Sequence, residues 1–341
     1  MGSNHFSPLS ARLNTDKANE VLDNISASTL AHVLEGVAVA AKLSPTIRRL
    51  LRTWIQKHDR RYSDINGWWD SIATCSVLKQ DEGLSLLAKL IVTVVYLRVN
   101  SRANVEFSPQ ILEMIWKCVH DAVTYPFSAD QASFAPSRSA QGFWAVPLCS
   151  RIKDGKIDEL IRLHVWLPDG QRGEKATGIH AHQSFAQSWI LAGRGTDFQY
   201  EAEVVSDAAK ASHAVFVPRW SDGATDGTAD GRYKTHRTSS TLLPTGKRVS
   251  VRLAHMETHG RDASYAVPAG VYHSSDVKPT EFHATLFFFD SSRGFVEDAG
   301  ILGPVDFEGR ALRREAAGTS ARELAEKVEL HRSQWSGDQG G

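Results

Sequence analysis

Cysteine is scarce: Cys75, Cys118 and Cys149 are the only three in 341 residues. An odd, sparse, widely spaced set builds neither a disulfide framework nor a cysteine zinc site. That usage fits a reducing compartment, so a cytoplasmic protein is expected. Net charge is missing too, with 39 Lys and Arg against 39 Asp and Glu. A chain without a global field is not drawn as a whole onto nucleic acid or an anionic membrane, and neither is expected as a partner. Long hydrophobic runs are absent as well. The most apolar stretch, 84–99, is interrupted by Lys89 and closed by Arg98, too short and too charged to span a bilayer. It reads as a buried helix. The N-terminus lacks the basic flank and apolar run of a signal peptide, and Phe6 stands where a myristoylation pattern needs Ser or Thr.

What is present is a 42% hydrophobic content, enough for a core, and a length that suggests about two domains. The first part reads as helical. Residues 17–42 carry Val21, Leu22, Ile25, Leu30, Val33, Leu34 and Val37 at helical spacing. Ser44-Pro45 and Ser108-Pro109 each pair a capping serine with a proline at the first helical position, opening helices over 46–57 and 111–123. Ser63-Asp64 opens another, bearing Trp68 and Trp69, which read as bundle core. Residues 126–142, rich in Ser, Ala and Pro, read as a linker or wrapping arm. Short β-rich runs follow at 143–149, 160–167, 177–183, 185–192, 197–205, 213–217, 248–256, 263–267 and 282–289, separated by Gly, Pro and Asp. Many short strands with turn signals indicate a sandwich or barrel. Ser221–Arg232 has almost no apolar content and reads as an exposed, mobile loop. The segment 311–335 reads as a charged helix. The expected class is α+β: a helical domain over 1–125, a linker over 126–142, a β-barrel over 143–295, and an extension with a helix over 296–341.

Fourteen histidines occur, several of them among the strands. In Gly178-Ile179-His180-Ala181-His182, residues two apart on a strand share a face, so two imidazoles project side by side as adjacent metal ligands do. In Pro268-Ala269-Gly270-Val271-Tyr272-His273, Pro and Gly set a tight turn that brings a strand back with its histidine inward. His213, His236, His255 and His259 have no ligand spacing with one another and read as structural or exposed. Cys149 reads as buried packing.

Taken together, the two motifs resemble those of the cupin superfamily, small jelly-roll barrels with a metal in the mouth. Gly178, His180, His182, Gln187 and Gly193 fall on the first cupin motif, and Pro268, Gly270 and His273 on the second. The resemblance covers less than half of the chain. It implies His180, His182 and His273 as metal ligands, with Gln187 where the family carries a glutamate. A neutral amide there leaves a three-histidine site, suited to Fe(II) and also to Zn, Ni or Cu. Gln187 is then free to orient a bound water or substrate. Three-histidine cupins are most similar to the thiol dioxygenases, the group that includes cysteine dioxygenase, which implies O2 as co-substrate. The pattern departs at Phe287, where that group has a tyrosine; either His283 replaces that tyrosine's partner or the substrate differs.

Strand alternation supplies further candidates. Arg162, His164 and Trp166 share a face that looks either into a wet barrel mouth or into solvent. If inward, Arg162 pairs with a substrate carboxylate. Gln187 shares a face with Phe185, Trp189 and Leu191, an aromatic wall. Tyr265 precedes the second motif and is a candidate donor to bound oxygen. The expectation is a dioxygenase acting on a small polar metabolite, thiol or amino-acid-like. The alternatives are a Zn or Ni cupin isomerase, lyase or hydrolase, and a non-enzymatic binding or interaction protein. The helical half covers the barrel mouth, mediates a homodimer, or enlarges the core.

Overall fold

The computed structural model describes residues 25–58, 64–221, 239–307, 311–313 and 318–334. The chain divides into two compact units, Met1–Ala135 with Ala321–Leu330, and Pro136–Ser320 with His331–Gly341.

The first unit is helical: α1 (Ala27–Ala40), α2 (Pro45–His58), α3 (Ile65–Thr74), α4 (Ser76–Gln80), α5 (Glu82–Arg102) and α6 (Pro109–Thr124). Side-chain oxygens satisfy the open N–H groups at the starts. Ser26 accepts from Thr29 N, Asp64 from Gly67 N, Asp81 from Leu84 N, and Ser108 from Ile111 N. The Ser44 hydroxyl accepts from Ile47 N, as its sequence predicts. The apolar run is α5, buried around most of its girth, which is where an all-round apolar helix belongs. Among the described residues no helix is long and apolar enough to cross a membrane. Trp68 is fully buried, donates to Ile25 O at 2.9 Å and meets Trp54 edge-on, whereas Trp69 is only partly covered.

The second unit is an antiparallel double sheet. Its strands are β1 (Ser137–Arg138), β2 (Trp144–Lys153), β3 (Lys156–Trp166), β4 (Ser184–Gly193), β5 (Gly195–Val204), β6 (His213–Ser221), β7 (Ser239–His259), β8 (Ser264–Val267), β9 (Tyr272–Asp276), β10 (His283–Phe295), β11 (Ile301–Gly303) and β12 (Ala311–Arg313). One sheet runs β1-β2-β3-β10-β4-β8; the other runs β11-β6-β7-β5-β9, with β12 paired to β7. Asp154-Gly155, both at positive φ, closes the β2–β3 hairpin, the turn chemistry that matches strand twist. Gly193 ends β4 at φ +75°, and a Cβ there would lie 1.9 Å from Phe282 O. Only glycine fits that crossing of β4 and β10. The final helix, α7 (Ala321–Gln334), follows β12.

Two sequence expectations change. The segment 177–183 is not a strand. Lys175–Thr177 forms a 3-10 turn, and Gly178 adopts right-handed helical backbone that breaks extension. The segment 311–335 is not one helix, because Ala311–Arg313 pairs with β7 before α7 begins. The loop expected at Ser221–Arg232 lies, apart from Ser221, outside the described residues, as does His236.

Candidate metal centre

A cavity of about 1240 Å³ opens between the two sheets. Its walls come from β3, β4, β8 and β10 on one side and from β5, β6, β9 and β11 on the other. His180, His182 and His273 all line it.

Backbone pairing brings them together. His180 and His273 exchange both hydrogen bonds, N to O, at 2.9 and 2.8 Å. On its other side the irregular segment bonds to the β11 region through Ala181 N to Gly300 O and Leu302 N to Ile179 O. Bonding on both sides keeps 179–182 extended without a regular ladder. The Pro268–Val271 turn carries Gly270 at φ +78°, and Gly270 N donates to His182 O at 2.9 Å. The turn of the second motif therefore holds the backbone of the first.

The three imidazoles converge through their Nε2 atoms. His180 Nε2 and His182 Nε2 are 3.1 Å apart, and His182 Nε2 and His273 Nε2 are 3.4 Å apart. Nitrogens about 2.1 Å from one ion, at right-angle to tetrahedral geometry, stand about 3.0–3.4 Å apart. The opposite nitrogens are largely engaged. His273 Nδ1 donates to the buried Asp197 Oδ1 at 3.0 Å, and His180 Nδ1 donates to Gly178 O at 3.0 Å. Both bonds fix the tautomer that leaves Nε2 unprotonated. His182 Nδ1 is buried without a hydrogen-bond partner. Burial, followed by the neighbouring His273, pushes His180 down to about 3 and His182 well below the usual histidine range. Neutral imidazole is the form that binds metal. Among the described residues no carboxylate converges with these three nitrogens. The donor set thus fits a divalent transition metal with ligand positions left over.

Asp197 is absent from the sequence reading. It sits on β5, where Gln199 pairs with His273 and Asp197 with Ser275, so the contact depends on a strand pairing that no local motif encodes.

Other candidates divide. Arg162, His164 and Trp166 are buried and line the cavity, so of the two directions open to that face it looks inward. Tyr265 also lines it, with its ring stacked on His259 at 4.5 Å, and burial raises its phenol. Phe287 packs between His164 and Phe289 on the cavity wall. Gln187 and Trp189 do not face the cavity; Ala186 and Ser188 of β4 do. Gln187 Oε1 accepts from Arg293 Nη1 at 2.9 Å, and Trp189 is buried on the opposite face. Both faces of β4 are covered, so apolar content could not reveal which parity points in. His283 shares the inward parity of β10 but lies beyond the cavity lining, its ring 5.1 Å from that of Trp166. Burial holds it down to about 3.

These features define an antiparallel double-sheet barrel, preceded by helices, whose three-histidine group can hold a metal. No protein-family model matches the chain, and no curated protein matches it. Solved structures similar to it include an oxalate decarboxylase variant from Bacillus subtilis, at 12% identity and TM-score 0.23, over 48% of this chain and 29% of that one. An oxalate decarboxylase formate complex from Lactobacillus farciminis is similar at 13% identity and TM-score 0.24, over 50% and 35%. An 11S globulin from Wrightia tinctoria, whose title names an auxin binding site, is similar at 12% identity and TM-score 0.24, over 59% and 45%. The chain spans less than half the length of each.

Proposed function

We propose that the chain is a mononuclear non-haem Fe(II) dioxygenase acting on a small polar metabolite, thiol or amino-acid-like, that chelates the metal. The observation that carries this reading is the convergence of three neutral Nε2 atoms with no carboxylate among them. His180, His182 and His273 hold the ion. Bound there, Fe(II) supplies a Lewis-acidic, redox-active centre with positions open to both a chelating substrate and O2. Asp197 and the Gly178 carbonyl aim two of the rings. Arg162, on the cavity wall, pairs with a substrate carboxylate. Tyr265 keeps its proton, because burial and the nearby Asp197 charge both disfavour the phenolate, and so can donate to an oxygen atom in the cavity. Phe143, Trp166, Phe287 and Phe289 line the space around them and limit water.

The cavity is larger than a cysteine-sized molecule needs, so the substrate panel includes longer thiol acids. The test is anaerobic loading with Fe(II), then oxygen uptake across thiols and amino acids. Iron-dependent uptake with at least one is the expected result. No uptake with any, alongside turnover supported by Zn without oxygen, overturns the reading in favour of Lewis-acid chemistry.

A further inference from the structure

We propose that Gln141 is the side chain that holds the non-protein ligand beside His180, a role resting on the metal-centre reading above. Its Nε2 lies 3.0 Å from both ring nitrogens of His180. Equal distances place the amide over the ring face, because the equidistant point in the ring plane collides with Cε1. His180 Nδ1 faces Gly178 O, so Nε2 is the nitrogen that points to the ion. An ion held by His180 Nε2 would leave the amide to one side. The amide nitrogen, which carries no free lone pair for a metal, would stand there within hydrogen-bond range of an atom bound to that ion. An amide offers both donors and an acceptor, so it suits a metal-bound water, a thiol acid or a carboxylate oxygen.

The presentation of Gln141 is built, not incidental. Gln141 N donates to Ser139 Oγ at 3.1 Å, and Gly142 N to Ser139 O at 3.0 Å. Gly173 N donates to Gln141 O at 2.9 Å. Backbone lies directly on backbone: a Cβ on Gly173 would meet Gln141 Cα at 2.6 Å, and one on Gly142, at φ +91°, would meet Arg172 Cα at 2.7 Å. Arg172 anchors this seat by donating to the carbonyls of Leu167, Gln171, Val277, Lys278 and Glu281. Gln187, the polar residue of the first motif, is turned away toward Arg293. The amide beside the histidines therefore comes from the segment that composition marks as a linker.

The test uses the full chain loaded with Co(II), whose visible spectrum reports its ligands. Co(II) affinity is measured against a competing chelator, and azide is titrated as the probe ligand. Gln141 is solvent-exposed, so Gln141→Ala leaves the fold intact. The expected result is Co(II) affinity within about threefold of wild type and azide affinity about tenfold weaker, the loss of one hydrogen bond to a charged group. Gly173→Ala, which displaces the Gln141 backbone, is expected to weaken azide in the same direction. Unchanged azide affinity in Gln141→Ala overturns the proposal. So does a fall in Co(II) affinity beyond about tenfold, which makes Gln141 a ligand. Failure of the wild-type protein to take up Co(II) overturns the metal reading itself, and is distinguishable from either.

Discussion

The barrel interior holds two kinds of histidine. His180, His182 and His273 turn their nitrogens toward one another, 3.1 and 3.4 Å apart. His164 and His259 turn their ring faces to aromatic neighbours instead, and His283 lies tilted beside one. His164 stacks on Phe287 at 4.6 Å, His259 on Tyr265 at 4.5 Å, and His283 lies against Trp166 at 5.1 Å. Burial alone does not separate the sets, since it pushes both His180 and His283 down to about 3. What separates them is the company each nitrogen keeps. Converging lone pairs with outward nitrogens tied to Asp197 and Gly178 make a ligand set, whereas rings packed on rings make structural filling.

The largest effect that sharpens this contrast is loss of metal from the converging set without loss of fold. His182→Ala removes the central nitrogen of the three and leaves a cavity-facing methyl. Metal affinity is expected to fall by more than about 100-fold, since losing a ligand exceeds the cost of losing its outer support. Stability in urea without metal is expected to change by less than about 1 kcal/mol, because the side chain faces a cavity and its Nδ1 makes no hydrogen bond there. Unfolding of the variant at neutral pH would place His182 with the packing histidines.

Next in size is Asp197→Asn. The carboxylate fixes the proton of His273 on Nδ1 and adds negative charge behind the ring. An asparagine can present its N–H instead, which moves the ring proton to Nε2 and aims it at the ion. Metal affinity is expected to drop about 10- to 100-fold, measured by chelator competition. An unchanged affinity refutes the role given to Asp197.

Much of this centre was legible in the sequence, and the failures have physical causes. The Gly178–His182 and Pro268–His273 motifs name the three converging histidines because their geometry is local: a two-residue period and a Gly turn at positive φ. The first motif is not in a strand, yet the two-residue rule still holds, since hydrogen bonds on both sides keep the backbone extended. Gln187 and Trp189 lie on the face of β4 away from the cavity, a parity that the sequence does not announce because both faces of the strand are covered. Asp197 and Gln141 carry no local sequence signal, because each reaches the site through long-range pairing. One crosses from β5 to β9; the other comes from an arm seated on the loop around Gly173.

The smallest effect tests the packing set through pH. His283 is held neutral in the fold, pushed down to about 3 by burial first, against a hydrogen bond to the Ala192 backbone that raises it. In the unfolded chain it titrates near 6.5. Between those values the unfolded state binds a proton that the folded state refuses, so stability rises with pH there. The His283 contribution is fully present above 6.5 and falls on acidification by about 1.4 kcal/mol per pH unit. Below about 3 both states are protonated and it flattens. His283→Phe keeps a ring against Trp166 but removes the proton. Urea midpoints of the metal-free proteins are compared at pH 7.5, 6, 5 and 4, and wild type is expected to fall relative to His283→Phe as the pH drops below about 6.5. The slope shared by the converging histidines cancels in the difference between the two proteins, so parallel curves would remove His283 from the buried, neutral set.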